Sequence, residues 1–273
     1  MTLLRAELSA LALLTCISYL TCLSLVGCGG GEELRRAQQA QYHADLAYGY
    51  LMEGQETNAA LQEVLKSLKL REDDPATHHL AALIFMGRSD WLKALKHGKR
   101  ALELKPDFYE AKNNLGVVYL SLGEWREAVT VFQELTGVLE YRTPARGYNN
   151  LGWALYKLGR LDEAKRALLS AVKLNPRLCP PHNNLGLVSL ELGELALAER
   201  ELTRSVSLCP SYAEPHLHLA RLHIERGARA DAIGALERCV ELGGDSELGL
   251  RCSAALQQSS AQLPSQRRPV ERP

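Results

Sequence analysis

The chain has 273 residues, with 32 Lys+Arg set against 32 Asp+Glu and so no net charge. That balance leaves no basic excess to neutralise phosphates and excludes nucleic acid as the expected partner. Hydrophobic residues make up 46% and charged residues 23%, which is enough to fold most of the length. With only three Phe and three Trp among abundant Leu and Ala, helices are favoured over strands.

Residues 1–27 read as an export signal. Arg5 gives a short charged start, weakened by Glu7, and Leu8 to Val26 carry no charge. The run closes in Leu25-Val26-Gly27-Cys28, followed by Gly29-Gly30-Gly31. This ending resembles the lipobox of bacterial lipoproteins, and the resemblance implies that Cys28 carries the lipid and becomes the first residue after cleavage. In such lipoproteins Asp after the cysteine suggests inner-membrane retention. Gly29 in that place implies an outer-membrane, lipid-anchored chain with its folded part facing the periplasm. The alternative reading of the same run is an uncleaved membrane-spanning helix, for which it is nearly long enough. Residues 28–39 are expected to form a lipidated tether.

Internal periodicity dominates the rest of the chain. Asn114-Leu115-Gly116, Asn150-Leu151-Gly152 and Asn184-Leu185-Gly186 recur at about 34 residues, the period of tetratricopeptide (TPR) repeats. Gly123, Gly159, Gly193 and Gly227 mark turns, while Ala94, Ala128, Ala164, Ala198 and Ala232 mark second helices. Pro106, Pro176 and Pro210 close three units, since proline cannot continue a helix. The phases predict an all-α TPR superhelix, an α-solenoid of six helix–turn–helix repeats over 40–246. The units fall at 40–74, 75–108, 109–144, 145–178, 179–212 and 213–246. Thr143-Pro144 falls in the closing loop of the third. A capping helix over 247–260 is expected to hide the last apolar face, and 261–273 reads as a disordered tail.

A repeat array of this kind presents first helices to a partner. The phasing places Asn113, Asn114, Asn149, Asn150, Asn183 and Asn184 on or near that face. Trp153, Tyr156, Leu187, Leu190, Leu217, His218 and Arg221 join them. Asparagine amides both donate to and accept from a peptide backbone, and Trp153 with Tyr156 would supply an aromatic anchor. The second Asn of each pair also fits simple repeat consensus. Lys157 and Arg146 have no matching basic residues at the same phase in another repeat, so a paired-lysine clamp for a terminal carboxylate is not expected.

Catalysis is not expected, because the repeats use nearly all of the chain and no nucleophile elbow or phosphate loop occurs. Neither a cofactor nor a small-molecule substrate is called for. His216 and His223 share a helical face while His218 points elsewhere, and these three and His78-His79 read as packing residues, not metal ligands. Four cysteines follow Cys28, an even number that suits disulfides in an exported chain. Cys239 with Cys252 could staple the cap, and Cys179 with Cys209 could close the fifth unit. Four buried thiols remain the alternative.

The lipobox and six TPR units together resemble the type IV pilus biogenesis and stability lipoproteins, the PilF/PilW/Tgl group. The long loop Leu139-Glu140-Tyr141-Arg142-Thr143-Pro144-Ala145-Arg146 ahead of Asn149 to Trp153 adds to the likeness. The resemblance implies a pilotin that binds secretin subunits and promotes their assembly in the outer membrane. A general periplasmic adaptor for cell-wall enzymes or outer-membrane assembly factors is the alternative.

Overall fold

The computed structural model describes residues 31–54 and 57–261. The export signal, Cys28 and the tail beyond residue 261 lie outside them. Among the described residues there are thirteen helices and no strand, so the fold is all-α. The helices are α1 (31–53), α2 (Thr57–Leu70), α3 (Pro75–Gly87), α4 (Trp91–Leu104), α5 (Tyr109–Leu122), α6 (Trp125–Thr136) and α7 (Pro144–Lys157). They continue with α8 (Leu161–Leu174), α9 (Cys179–Glu191), α10 (Leu195–Leu208), α11 (Glu214–Glu225), α12 (Arg229–Gly243) and α13 (Glu247–Ala261). Successive pairs are helical hairpins of the tetratricopeptide type. The chain divides into two units between Val118 and Tyr119, within α5.

Two expectations are corrected at the hairpin ends. The tether predicted over 28–39 is helical from residue 31, as the start of α1. Once past the glycines the composition favours helix: Arg36 donates to Glu32 at 2.8 Å one turn away, and Ala40 is buried with its carbonyl accepting from Ser67 Oγ at 2.8 Å. Pro144 does not close the third unit but opens α7 at its first turn, where its missing N–H costs nothing. In the loop before it, Tyr141 is buried and lies 3.0 Å from where a Cβ on Gly147 would sit. The tyrosine thus packs back onto α7, while Leu139 at the loop tip stands exposed.

One turn is used repeatedly. In the fourth hairpin Gly159 has φ +74°, its N–H donates to Tyr156 O, and the next N–H, from Arg160, reaches back to Leu155 O. This is the Schellman arrangement, which satisfies orphan carbonyls at a helix end. The same pair of bonds recurs at Gly123, Gly193 and Gly227. It recurs also between α3 and α4, where the left-handed residue is Ser89, at φ +56°. A side chain in that region carries strain of about 1 kcal/mol or more. Ser89→Gly is therefore expected to stabilise the first unit by about 0.5–1 kcal/mol. Urea unfolding of the two chains is the check, and an unchanged midpoint would reject the strain.

In the first unit Ala47, Ala60, Val64, Leu80, Ala81 and Ile84 form the core. His78 and His97 face each other there at 3.0 Å, and His79 meets the Asn114 amide at 2.8 Å. Burial pushes His97 down to about 4, so it stays neutral while stacked on Phe85.

In the second unit each helix packs on its sequence neighbour, and α9 also touches the first helices on either side, α7 and α11. Close crossing of α7 and α8 depends on Gly152 lying over Leu168, and of α9 and α10 on Gly186 over Leu202. The apolar end is covered by α13: Leu248 packs with Leu217, Ala213 and the Cys239–Cys252 disulfide. A bond closing so short a segment contributes about 3 kcal/mol by restricting the unfolded chain. A second disulfide, Cys179–Cys209, ties the start of α9 to the residue after α10.

Candidate functional site

The row of first helices in the second unit carries a cleft of about 410 Å³. From α7 come Trp153, Tyr156 and Lys157, and from α9 comes Leu187. Glu214, Leu217, His218 and Arg221 line it from α11, and Arg251 reaches it from α13. The helical periods explain the gathering. Trp153 and Tyr156 are three residues apart and so share a face of α7, as Leu217, His218 and Arg221 share one of α11. Leu151 and Leu155 bury the other face of α7.

The wall is aromatic and the rim carries charges of both signs, Lys157, Arg221 and Arg251 beside Glu214. The Trp153 and Tyr156 rings sit 5.3 Å apart, and Lys157 Nζ lies 4.6 Å from the centre of the indole's ring system. That is close enough for a cation–π attraction. Arg221 donates to Glu191 at 2.6 Å and to Glu225 at 3.1 Å. The Arg221 hydrogen bond holds the Glu191 carboxyl below its ordinary range. Burial, then the nearby Glu191 charge, pushes the Tyr156 hydroxyl up. His218 is buried and neutral: desolvation takes it down to about 4, against the opposing pull of Glu214. Its Nε2 has no hydrogen-bond partner among the described residues.

Of the residues the sequence marks, Trp153, Tyr156, Leu187, Leu217, His218 and Arg221 meet in this cleft. The asparagines are placed differently. Asn183 is fully buried and so is not presented to a partner, which corrects its assignment. Because α11 covers that face of α9, the Asn183 amide donates to Tyr212 and Glu214, each at 3.3 Å. Leu190 likewise belongs to the core, against Leu202 and Leu222. Asn184 donates to Asn149 Oδ1 at 3.0 Å, and Asn149 to Asn150 Oδ1 at 3.2 Å. These amides form a ladder across α7 and α9 that occupies part of their capacity for a peptide. Asn113 and Asn114 lie in the first unit and are half-buried.

The sequence reading missed two cations. Lys157 has no basic match at the same phase of another repeat, and Arg251 belongs to no repeat. The structure supplies the match from the capping helix, not from a repeat. Leu248 and Cys252, four apart, fix the buried face of α13, and Arg251 flanks it. That spacing was the available signal. Among the described residues no three His, Cys, Asp or Glu side chains are grouped to hold a metal ion, and no helix is long and apolar enough to cross a membrane.

The geometry defines a helical-hairpin repeat protein with an open, aromatic-walled cleft, a class that binds other proteins and is typically a non-catalytic scaffold. Comparisons with known proteins agree on the class. Residues 79–142 and 145–178 match tetratricopeptide-repeat profiles. Over 87 residues the chain is 32% identical to the photosystem I assembly protein Ycf3 of Cyanophora paradoxa, covering 29% of this chain and 50% of that one. The match thus spans half the length of that curated relative. Among solved structures, Pseudomonas aeruginosa PilF superposes with a TM-score of 0.67 at 19% identity, over 81% of this chain and 99% of its own. PilW, described as a widely conserved type IV pilus biogenesis factor, gives 0.69 at 22%, over 78% and 97%. YrrB, described as a TPR protein with an unusual peptide-binding site, gives 0.51 at 20%, over 70% and 97%. At these identities the likeness is one of fold.

Proposed function

We propose that this chain is a lipid-anchored outer-membrane protein that docks a partner through the Trp153–Tyr156 cleft, and that it serves as a pilotin for the secretin of a type IV pilus. It performs no catalysis. The observation carrying the docking role is the cleft itself, where two adjacent aromatic rings stand beside apolar Leu187 and Leu217. Half-exposed aromatic pairs in a pocket are the kind of group that dominates protein–protein binding. The pilus assignment draws support from the fold shared over nearly the whole length of PilF and PilW, and from the lipobox-like ending at Cys28.

Anchor and cleft have separable tasks in this reading: Cys28 sets the place and the cleft sets the grip. Acyl chains contribute about 0.8 kcal/mol per buried methylene, so more than one is needed for firm anchoring. Deleting the gene is expected to abolish heat-resistant secretin multimers on gels. A Cys28→Ala chain should restore little of them and should leave the outer-membrane fraction while keeping its helical circular dichroism. Undiminished multimers in the deletion strain would reject the pilotin role, and a membrane-bound Cys28→Ala chain would reject the anchor.

A further inference from the structure

The aromatic wall already holds a cation, one of the chain's own. Lys157 Nζ lies 4.6 Å from the centre of the Trp153 rings, 5.8 Å from Tyr156 and 5.9 Å from Trp125. Trp125 opens α6, while Trp153 and Tyr156 stand near the end of α7, so two helices bring three rings to one ammonium. Each ring is within about 6 Å, the reach of a cation–π attraction. Two of the rings have fixed supports. The Tyr156 hydroxyl bonds Glu191, which accepts from Arg221 at 2.6 Å, and the Trp125 ring lies over the Gly123 turn, 3.7 Å from where a Cβ would sit.

The resident ammonium is replaceable. Lys157 is exposed and has no ion pair or hydrogen bond among the described residues, so its charge is held there by the rings. Its stem is flexible, and the strongly hydrated ammonium regains water when it swings out. The charges around the cleft do not oppose an exchange of one cation for another. Lys157, Arg221 and Arg251 are matched in number by Glu214 and by the Arg221 partners Glu191 and Glu225, and the sum is the same before and after. A carboxylate, by contrast, would meet the negative faces of the rings.

We infer, on the basis of the docking role, that Trp125, Trp153 and Tyr156 take an arginine side chain of the partner. The arginine displaces Lys157, and apolar residues beside it cover Leu187 and Leu217. A guanidinium suits the rings better than the resident ammonium, because it is planar, stacks on aromatic faces and is more weakly hydrated. Trp125 thereby joins the docking surface, although it lies outside the cleft that Trp153 and Tyr156 line.

The test selects peptides from a random displayed library on the full chain in detergent, then measures synthetic versions of the winners. Winners are expected to carry Arg beside Leu, Ile or Phe. Replacing that Arg by citrulline, its uncharged isostere, should weaken binding about tenfold while leaving the protein untouched. Trp125→Ala should weaken it about threefold, and Lys157→Met, which removes the competing cation, should strengthen it about threefold. Winners without Arg, equal binding of the Arg and citrulline peptides, undiminished binding by Trp125→Ala, or weaker or unchanged binding by Lys157→Met would overturn the inference. If the winners in those cases still require Trp153 and Tyr156, the docking role survives and only the arginine assignment falls. If nothing is enriched, or binding ignores both aromatic residues, the docking role falls with it.

Discussion

Gly152→Ala should destabilise the second unit by about 1–3 kcal/mol, the range for overpacking a tight contact. The added Cβ would sit 2.5 Å from Leu168 Cγ, 2.8 Å from its Cδ2 and 3.3 Å from the Ala164 carbonyl oxygen. Real Cβ atoms do not approach that closely, so something must move. Leu168 and Ala164 are both fully buried, which leaves the leucine no empty space to turn into. The remaining relief is to push α7 and α8 apart, which loosens the rest of their shared interface. Gly186 over Leu202 and Ala198 repeats the geometry at 2.5, 2.7 and 3.3 Å, and its substitution should cost the same.

Two other glycines make the controls. A Cβ on Gly234, inside α12, meets nothing within 4 Å, so Gly234→Ala should gain about 0.5–1 kcal/mol from helix propensity. Gly159 also has open space but a φ of +74°, so Gly159→Ala should lose about 1 kcal/mol through backbone strain alone. Urea midpoints of the four chains would then order as Gly234→Ala, wild type, Gly159→Ala, Gly152→Ala. If Gly152→Ala unfolds where Gly234→Ala does, close helix crossing is not what that glycine provides.

The same contrast explains what could be read from the sequence. Repeat phases carry positions that every unit needs for one mechanical reason. Hence Gly152, Gly186, Ala164 and Ala198 give away the hairpins and the all-α fold directly. Ser89 escapes that reading because a serine in the left-handed turn looks like an ordinary loop residue, although it occupies the glycine's place. Residues 31–39 escape it because the glycines before them suggest a tether, while the helix is set by Glu32, Arg36 and the buried Ala40. A phase also tells which way a residue faces without telling what covers that face. Asn149 and Asn183 hold one phase, yet Tyr212, just before α11, and Glu214, at its start, lie over Asn183, which is fully buried. Arg251 has no phase to inherit, since α13 is not half of a repeat. Its place in the cleft follows only from how the disulfide and Leu248 seat that helix.

Trp153→Ala combined with Tyr156→Ala should cost the partner about 2–4 kcal/mol of binding, a loss of roughly 30- to 1,000-fold in affinity. The two rings form the wall of the cleft and touch each other at 5.3 Å, so their effects are expected to be coupled, not additive. Each ring is half-exposed, whereas the packing of α7 rests on Leu151, Gly152 and Leu155 on its buried side. Alanine is the better helix former at both positions. The doubly substituted chain should therefore keep its helical circular dichroism and most of its urea midpoint while the affinity collapses. Titration calorimetry with a soluble secretin fragment measures that affinity. Removal of the rings also frees Lys157, which lies over Trp153 at 4.6 Å and within 6 Å of Tyr156. The lysine charge remains but loses the surface that positions it, so residual binding should become strongly salt-sensitive, as for an unanchored charge contact. Full affinity in the doubly substituted chain would place the docking surface elsewhere on the molecule. Lost affinity together with lost helicity would make the pair structural, not a docking anchor.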